Sequence, residues 1–202
     1  MSIEIEVVPC LSDNYAYLVH DPETGETAVV DVPEAAPILQ ALSDRGWRLS
    51  DIWITHHHAD HIDGVAELVA ATGAKVLGAA ADAPRLPPLD RALADGESVR
   101  IGGNVGTVLA VPGHTTGHIA FHFAAAGLCF TADSLMAGGC GRLFEGTPDV
   151  AYSSLMRLAA LPDDTLICSG HEYTASNLAF AATVDPQNEA LSARIRATTE
   201  AR

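Results

Sequence analysis

The chain has 202 residues, 48% of them hydrophobic, which is enough for one folded domain with a sizeable core. Its 26 acidic and 11 basic residues give a net charge of -15, which argues against nucleic-acid phosphates or anionic lipid as partners. The start carries acids where a signal peptide carries positive charge, and no apolar run approaches the length of about 20 residues that spans a bilayer. We therefore expect a cytoplasmic protein that binds no membrane.

The first part of the chain is predicted to alternate strands and helices. Apolar and polar residues alternate on both sides of a turn at 21–25, which predicts antiparallel strands at 3–8, 15–19 and 27–32. A helix begins at Pro33, has Ala36 and Ile38 on its apolar face and closes at Gly46. A strand at 51–55 follows, and a second helix is predicted around 65–69.

The second part continues this pattern. A strand at 75–77 leads into a Pro-rich loop at 83–88, which we expect near the mouth of the site. Further strands are predicted at 99–101, 106–111, 119–123, 128–131 and 165–168. Helices are predicted at 150–161 and 173–182, and the polar segment 187–202 is helix-prone. This order predicts an α/β fold of two mixed β-sheets packed face to face, with helices outside and polar residues collected where strands end.

The cysteines do not indicate a metal site or a disulfide framework. Cys10, Cys129, Cys140 and Cys168 are widely spaced and form no C-x-x-C pair. We expect them to act as small buried hydrophobic residues.

A dense run of metal-ligating residues follows the strand at 51–55. The run is Thr55-His56-His57-His58-Ala59-Asp60-His61-Ile62-Asp63-Gly64. Imidazole nitrogens bind first-row metal ions, and a carboxylate adds negative charge or bridges two ions. The run lies inside the chain and contains aspartates, unlike a terminal histidine tag or an exposed histidine patch. It predicts metal-assisted hydrolysis.

Three later donors also follow predicted strands, namely His114, Asp133 and His171. Loops at strand ends hold such donors on a rigid scaffold while leaving them open to substrate. Asp133 alone could equally cap a turn, and only the whole constellation favours ligation. We expect seven protein ligands around two divalent metal ions.

Spacing divides these ligands between the two ions. The expected arrangement is His56, His58 and His114 on one ion, Asp60, His61 and His171 on the other, and Asp133 bridging both. Alternate positions of an extended segment face the same way, so His56 and His58 share an ion, and the following turn reaches the second. His57 faces the opposite side, and we expect it and His118 to support the ligands from behind rather than to bind metal.

These residues resemble the metallo-β-lactamase superfamily, whose signature is T-H-x-H-x-D-H followed by distant His, Asp and His ligands. The glyoxalase II, or hydroxyacylglutathione hydrolase, branch is the more similar part of it. The strings that carry this likeness are Pro112-Gly113-His114-Thr115-Thr116-Gly117-His118, Phe130-Thr131-Ala132-Asp133-Ser134-Leu135, Gly139-Cys140-Gly141-Arg142-Leu143-Phe144-Glu145-Gly146 and Gly170-His171-Glu172-Tyr173-Thr174-Ala175-Ser176-Asn177-Leu178.

The resemblance implies an αββα sandwich with a binuclear site of zinc, with iron or manganese as alternatives. It implies that Arg142 contacts a carboxylate of glutathione and that Tyr173 binds its peptide portion. Phe144 stands where many relatives have a tyrosine, so one polar contact to glutathione is expected to be missing. Relatives usually continue into a C-terminal helical segment that holds glutathione, and we expect 1–202 to be a single domain with that segment absent or truncated.

The expected reaction is hydrolysis of a small-molecule thioester, S-D-lactoylglutathione, to D-lactate and glutathione. A hydroxide that bridges two metals would attack the thioester carbonyl, with Asp60 orienting it as well as binding metal. Three other interpretations stay open: a mononuclear iron persulfide dioxygenase, a hydrolase of lactones or β-lactams, and a metal-binding scaffold without turnover. Two ions per chain favour a hydrolase, whereas one iron with thiol-dependent oxygen uptake favours the dioxygenase.

Overall fold

The structure is a computed structural model that describes residues 3–201. Its strands are β1 Glu4–Cys10, β2 Asn14–His20, β3 Glu26–Val30, β4 Arg48–Trp53, β5 Lys75–Ala79, β6 Arg91–Leu93, β7 Ser98–Ile101, β8 Asn104–Ala110, β9 Ile119–Phe123, β10 Leu128–Ala132 and β11 Leu166–Ser169. Its α-helices are α1 Ala35–Arg45, α2 Ala59–Ile62, α3 Val65–Thr72, α4 Pro148–Ala159, α5 Thr174–Val184 and α6 Glu189–Glu200.

The strands form two mixed sheets, as the sequence predicts. One sheet has the order β1-β2-β3-β4-β5-β6, and the other has the order β11-β10-β9-β8-β7. In the first sheet β1, β2 and β3 are antiparallel, whereas β3 to β6 run parallel. In the second sheet only β10 and β11 run parallel. Strands β3 and β4 therefore end at one edge, and β8, β10 and β11 share a direction and end together.

Apolar layers hold the sheets and helices together. Trp53 from the first sheet packs with Phe121 and Phe123 from the second, at ring-centroid distances of 5.7 and 5.6 Å. Outside the first sheet, a separate buried cluster joins its strands to α1 and α3. Outside the second sheet, Leu158 of α4 packs over Leu109. This is the predicted αββα arrangement, and the two sheets form a rigid platform for the loops at their edge.

Helix α1 shows how local sequence sets an element. Ile38 and Leu42, one turn apart, are both buried against the first sheet. The helix ends at Gly46, which adopts φ 65°, a left-handed conformation that glycine takes without a Cβ penalty. The prediction that Ala36 faces the core is wrong, because Ala35 takes the buried position and Ala36 is exposed.

The other differences from the predictions are small. Strand β6 was not predicted, because its three residues are too short to show an alternating pattern. Cys140 is exposed, contrary to expectation, whereas the other three cysteines are buried, and all four are free thiols. Arg202, the last residue of the helix-prone segment, lies outside the described residues.

None of the helices within residues 3–201 is both long enough and apolar enough to cross a membrane.

Candidate active site

The predicted metal ligands come together at the edge where the strands end. Strands β4, β8, β10 and β11 are followed by these ligands in turn: His56 and His58 after β4, His114 after β8, Asp133 after β10 and His171 after β11. Asp60 and His61 lie on the short helix α2, which directly follows His58 in the chain. The sequence places these side chains in four separate stretches, at 56–61, 114, 133 and 171, and the shared strand direction brings them together.

Three histidines form one half of the site. The Nδ1 of His58 lies 3.1 Å from Nε2 of His56 and 2.9 Å from Nε2 of His114. The Nδ1 of His114 lies 2.7 Å from the carbonyl oxygen of Arg142, to which it donates its proton. Its Nε2 therefore presents a lone pair toward the other two rings, the arrangement that binds a metal ion.

Asp60, His61 and His171 form the other half. The Nε2 atoms of the two histidines are 3.3 Å apart. The Oδ2 of Asp60 lies 3.4 Å from Nε2 of His171 and 3.8 Å from Nε2 of His61. Each of the two groups of three has its donor atoms within 4.8 Å of one another, a spacing that can hold one ion.

Asp133 lies between the two halves, where the sequence predicts a bridging ligand. Its Oδ2 lies 3.4 Å from Nε2 of His114 in one half and 3.4 Å from Nε2 of His171 in the other. Its Oδ1 is buried and has no hydrogen-bond partner among the described residues. A buried carboxylate oxygen without a donor is costly unless a cation neutralises it. The seven donors therefore fit two divalent ions with Asp133 between them.

Asp31 supports the site and was not recognised in the sequence. Its carboxylate accepts hydrogen bonds from the backbone nitrogen and hydroxyl of Thr55 at 2.8 and 2.7 Å, and from Nδ1 of His61 at 2.8 Å. The last bond leaves Nε2 of His61 facing the metal position. Asp31 adopts φ 58°, a strained conformation for a residue other than glycine. Asp31 directly follows β3 in the structure, but the strand predicted at 27–32 places it inside a strand, so no strand-end signal marked it in the sequence.

Two more supporting residues come from the turn between β1 and β2. Asp13 accepts a hydrogen bond from Nδ1 of His171 at 2.9 Å, which leaves Nε2 of that ring facing the site. The Nδ2 of Asn14 donates to the backbone carbonyl and to Oδ2 of Asp60, at 3.0 and 3.1 Å. No local spacing marked either residue, because their partners lie far away in the sequence.

The structure places the two histidines that were expected to support the ligands, His57 and His118, beside the donor cluster. The Nδ1 of His57 lies 3.1 Å from Oδ2 of Asp82, on the side away from the ligands. His118 stacks on His56 with ring centroids 4.6 Å apart and an interplanar angle of 16°. Both ring nitrogens of His118 are buried without a hydrogen-bond partner in the described part of the chain. Its observed contact with His56 is therefore ring packing.

The two halves differ in electrostatic character. Burial lowers the pKa of His56 well below its ordinary value and also lowers the pKa values of His58 and His114. At His171 burial acts in the same direction, but Asp133 and other nearby carboxylates outweigh it and raise the pKa to about 10. The first half thus favours neutral imidazole ligands, and the second half lies in a negative field that attracts cations.

A cleft of about 680 Å³ opens over the ligands. The three predicted substrate-binding residues, Arg142, Phe144 and Tyr173, line this cleft. Met136, Cys140 and Asn177 also line it and were not predicted to bind substrate. The Phe144 ring meets His58 and His114 edge-on, at centroid distances of 5.5 and 5.3 Å. The Tyr173 ring stacks on His171 at 4.8 Å. The aromatic rings thus form cleft walls in contact with the metal ligands.

A family model described as the metallo-beta-lactamase superfamily matches residues 12–171, which include all seven predicted ligands. The chain belongs to this superfamily. A model described as the hydroxyacylglutathione hydrolase C-terminus matches residues 172–202. A protein of Cereibacter sphaeroides named hydroxyacylglutathione hydrolase is 65% identical over 202 residues, which are 100% of this chain and 79% of that protein. This metallo-β-lactamase superfamily member therefore lies in the hydroxyacylglutathione hydrolase branch, as the sequence motifs indicated.

Solved structures support the assignment of the fold. BLEG-1 B3 metallo-beta-lactamase superposes with a TM-score of 0.77 over 84% of this chain and 92% of its own, at 22% identity, so that likeness concerns the fold alone. TTHA1623, crystallised in a di-iron-bound form, superposes with a TM-score of 0.71 at 30% identity and covers 84% of this chain and 92% of its own.

Proposed function

We propose that this protein is a metal-dependent hydroxyacylglutathione hydrolase that cleaves S-D-lactoylglutathione to D-lactate and glutathione. The observation that carries the proposal is one cleft that has a seven-donor cluster at its floor and Arg142, Phe144 and Tyr173 on its walls. Hydrolysis needs the donor cluster at the floor of the cleft, and recognition of a peptide thiol that bears carboxylates needs the three residues on its walls. The 65% sequence identity between this chain and the C. sphaeroides hydroxyacylglutathione hydrolase supports the same substrate class.

We assign the ligands as the sequence suggests, with three histidines on one ion, Asp60, His61 and His171 on the other, and Asp133 shared. Imidazole and carboxylate donors accept zinc, and also iron or manganese. Two such ions, when bound, supply a water of lowered pKa and a Lewis acid for the thioester carbonyl. The buried and unpartnered Oδ1 of Asp133 supports this assignment.

Asp60 has the geometry to direct the attacking water. Its side chain is 42% exposed at the cleft floor, in contrast to the buried His61. Hydrogen bonds from His171 and then Asn14 outweigh burial and lower the pKa of Asp60, so its carboxylate stays ionised and able to accept a hydrogen bond from water. Asn14 fixes Oδ2 of Asp60 and thereby fixes the direction from which that water is held.

The cleft walls provide for the glutathione portion. The guanidinium of Arg142 has no ion-pair partner within residues 3–201, so it is available for a carboxylate of the substrate. Phe144 adds an apolar surface that is 60% exposed. The Tyr173 hydroxyl, 3.4 Å from Oδ1 of Asp13, can donate to a peptide carbonyl instead. We therefore expect the peptide to lie across these three side chains with its thioester over the ligands.

The leaving group explains why the site needs no strong general acid. Hydrolysis forms a C–O bond and breaks the C–S bond, and the sulfur leaves as a thiolate. A thiol has a pKa of about 8.5, so the thiolate departs without prior protonation. The same site would be less suited to amide cleavage, which leaves a far more basic nitrogen.

A direct test combines activity with metal analysis. Purified protein supplied with zinc or iron should hydrolyse S-D-lactoylglutathione and contain two ions per chain by inductively coupled plasma analysis. Replacement of Asp133 by Ala should remove at least one ion and abolish turnover. One iron per chain together with thiol-dependent oxygen uptake would instead establish the dioxygenase, and metal without any turnover would establish the scaffold.

The substrate assignment has its own test. Replacement of Arg142 by Ala should raise KM for the glutathione thioester about tenfold with little change in metal content, because binding to a substrate carboxylate is lost. The matched control is Arg196→Ala, which removes an exposed arginine on α6 that does not line the cleft. Equal KM values for the two variants would remove the reason to assign glutathione.

A further inference from the structure

A cluster of charged residues lies at the rim of the cleft, outside the metal-ligand set. Arg85, from the Pro-rich loop, donates to both carboxylate oxygens of Glu145, with the second contact at 3.1 Å. Its Nη2 also contacts Asp82 and the hydroxyl of Thr116, the latter at 2.9 Å. His57 lies against the same group, with Nε2 3.3 Å from Nη1 of Arg85. The cluster joins four segments that are separate in the sequence, around residues 57, 82–85, 116 and 145.

Glu145 belongs to the segment that carries two of the predicted substrate contacts. We call residues 139–146 the substrate loop. Except for a single bridge between Met136 and Gly139, this segment forms no regular secondary structure, so its shape depends on contacts with other segments. Backbone bonds join Gly141 to Asp133 at 2.8 Å and Phe144 to His114 at 3.3 Å. Glu145 adds a stronger, charge-assisted attachment next to Phe144.

The attachment of Glu145 ends beside the metal ligands. Its Oε2 accepts hydrogen bonds from the backbone nitrogen and the hydroxyl of Thr116, at 2.8 and 3.0 Å. Thr116 lies two residues after His114. A hydrogen bond from Arg85 lowers the pKa of Glu145 to about 2, so the carboxylate remains charged at neutral pH.

Asp82 secures the other side of Arg85. Its side chain has no exposed surface, and it packs so closely that a Cβ at position 117 would lie 2.2 Å from its Cγ. A buried carboxylate at a fixed position needs a cation, and Arg85 provides it. Arg85 thus contacts the fully buried Asp82 on one side and Glu145, which lies in a loop without regular secondary structure, on the other.

We infer that Arg85 is a positioning residue for substrate binding, which acts through Glu145 to hold the substrate loop, and with it Arg142 and Phe144, over the metal ligands. The inference rests on the proposed hydrolase function. Arg85 itself is not among the residues that line the cleft, so its effect reaches the substrate only through the loop. Loss of Arg85 therefore weakens binding of the glutathione portion while the chemistry over the ligands continues.

Steady-state kinetics with S-D-lactoylglutathione test this role. We expect Arg85→Met to raise KM about tenfold while kcat stays within about twofold and metal content is unchanged. Arg85→Lys, which keeps the charge but cannot form the fork to Glu145, should restore part of the affinity. The matched control is Arg157→Met, because Arg157 is 38% exposed against 37% for Arg85 and also pairs with a carboxylate, Asp95.

A double-mutant cycle tests whether Arg85 acts through Glu145. If it does, Arg85→Met combined with Glu145→Gln should raise KM no further than Arg85→Met alone. If the KM increase of the double variant equals the product of the two single increases, the two residues act separately, and that result would overturn the inference.

Trypsin provides a readout that does not depend on activity. Release of the substrate loop should speed cleavage after Arg142, identified by mass spectrometry, in Arg85→Met but not in Arg157→Met. Wild-type protein without hydrolase activity would refute the proposed function, and this cleavage assay would still decide the role of Arg85. Unchanged cleavage after Arg142, or an unchanged KM in an active enzyme, would refute the inference.

Discussion

Gly170 shows, at the scale of single residues, how little space surrounds the metal ligands. A Cβ at this position would lie 2.4 Å from Oδ1 of Asp133 and 2.8 Å from Cε1 of His61. Gly170→Ala should therefore displace the Asp133 carboxylate and lower metal content and kcat at least tenfold, on the order of a lost ligand contact. Metal analysis and kinetics measure both effects.

Gly73→Ala is the control for that substitution. A Cβ at position 73 meets nothing within 4 Å, but the residue has φ 70°. This variant should lose about 1 kcal/mol of stability from backbone strain and keep its metal and activity. If Gly170→Ala behaves in the same way, the close packing around Asp133 does not matter for metal binding.

Glu145 also makes a pH-dependent contribution to stability. Its pKa is about 2 in the folded protein against an ordinary value of 4.5, chiefly because of the hydrogen bond from Arg85. A carboxyl with a depressed folded pKa stabilises the protein fully above its unfolded pKa and loses that contribution as pH falls toward the folded pKa. The difference in unfolding free energy between wild type and Glu145→Gln should shrink from pH 6 to pH 3.5. Urea titrations at both pH values measure it, and a constant difference would contradict the expectation.

At the scale of elements, the apolar face of α1 determines how that helix attaches to the first sheet. Ile38 is fully buried between α1 and the strands. Ile38→Ala should lower the free energy of unfolding by about 3 kcal/mol, because it removes buried methyl groups and leaves a cavity. Gln40→Ala, on the exposed face of the same helix, should change it by less than about 0.5 kcal/mol. Denaturant unfolding measures the free energy of unfolding of both variants. An equal loss in the two would contradict the expectation that packing of Ile38 attaches α1 to the sheet.

Elements differed in how far the sequence predicted them. The 3.6-residue apolar period around Ile38 and the closing Gly46 were sufficient for α1, because both signals are local. The substrate loop is the opposite case, because its sequence motif indicated the substrate contacts Arg142 and Phe144 but not the shape of the loop that carries them. That shape depends on distant partners such as Arg85, which no local pattern connects to Glu145.

At the scale of the whole molecule, the metal ions should act as cross-links between distant segments. The seven ligands span residues 56–171, and ions bound there stabilise only the folded state. An ion at about 1,000 times its dissociation constant contributes about 4 kcal/mol. Chelation should then lower Tm by about 10 °C for a chain of this size.

Scanning calorimetry with and without a chelator, followed by re-addition of zinc, measures this stabilisation. Asp133→Ala should show a smaller chelator effect, because it holds fewer ions from the start. A Tm that does not respond to chelation in metal-replete protein would show that the ligand cluster does not couple the two sheets.

The sequence by itself determined the αββα architecture and the superfamily, and it predicted the ligand set, because dense donor runs, hydrophobic periods and strand-end positions are local features. Tertiary structure alone decided which residues orient those ligands: Asp31, Asp13 and Asn14 reach His61, His171 and Asp60 across the fold. It also decided the link between Arg85 and the substrate loop. The physical reason is that hydrogen bonds and ion pairs depend on distance in space, and two distant segments become neighbours only when the sheets have packed.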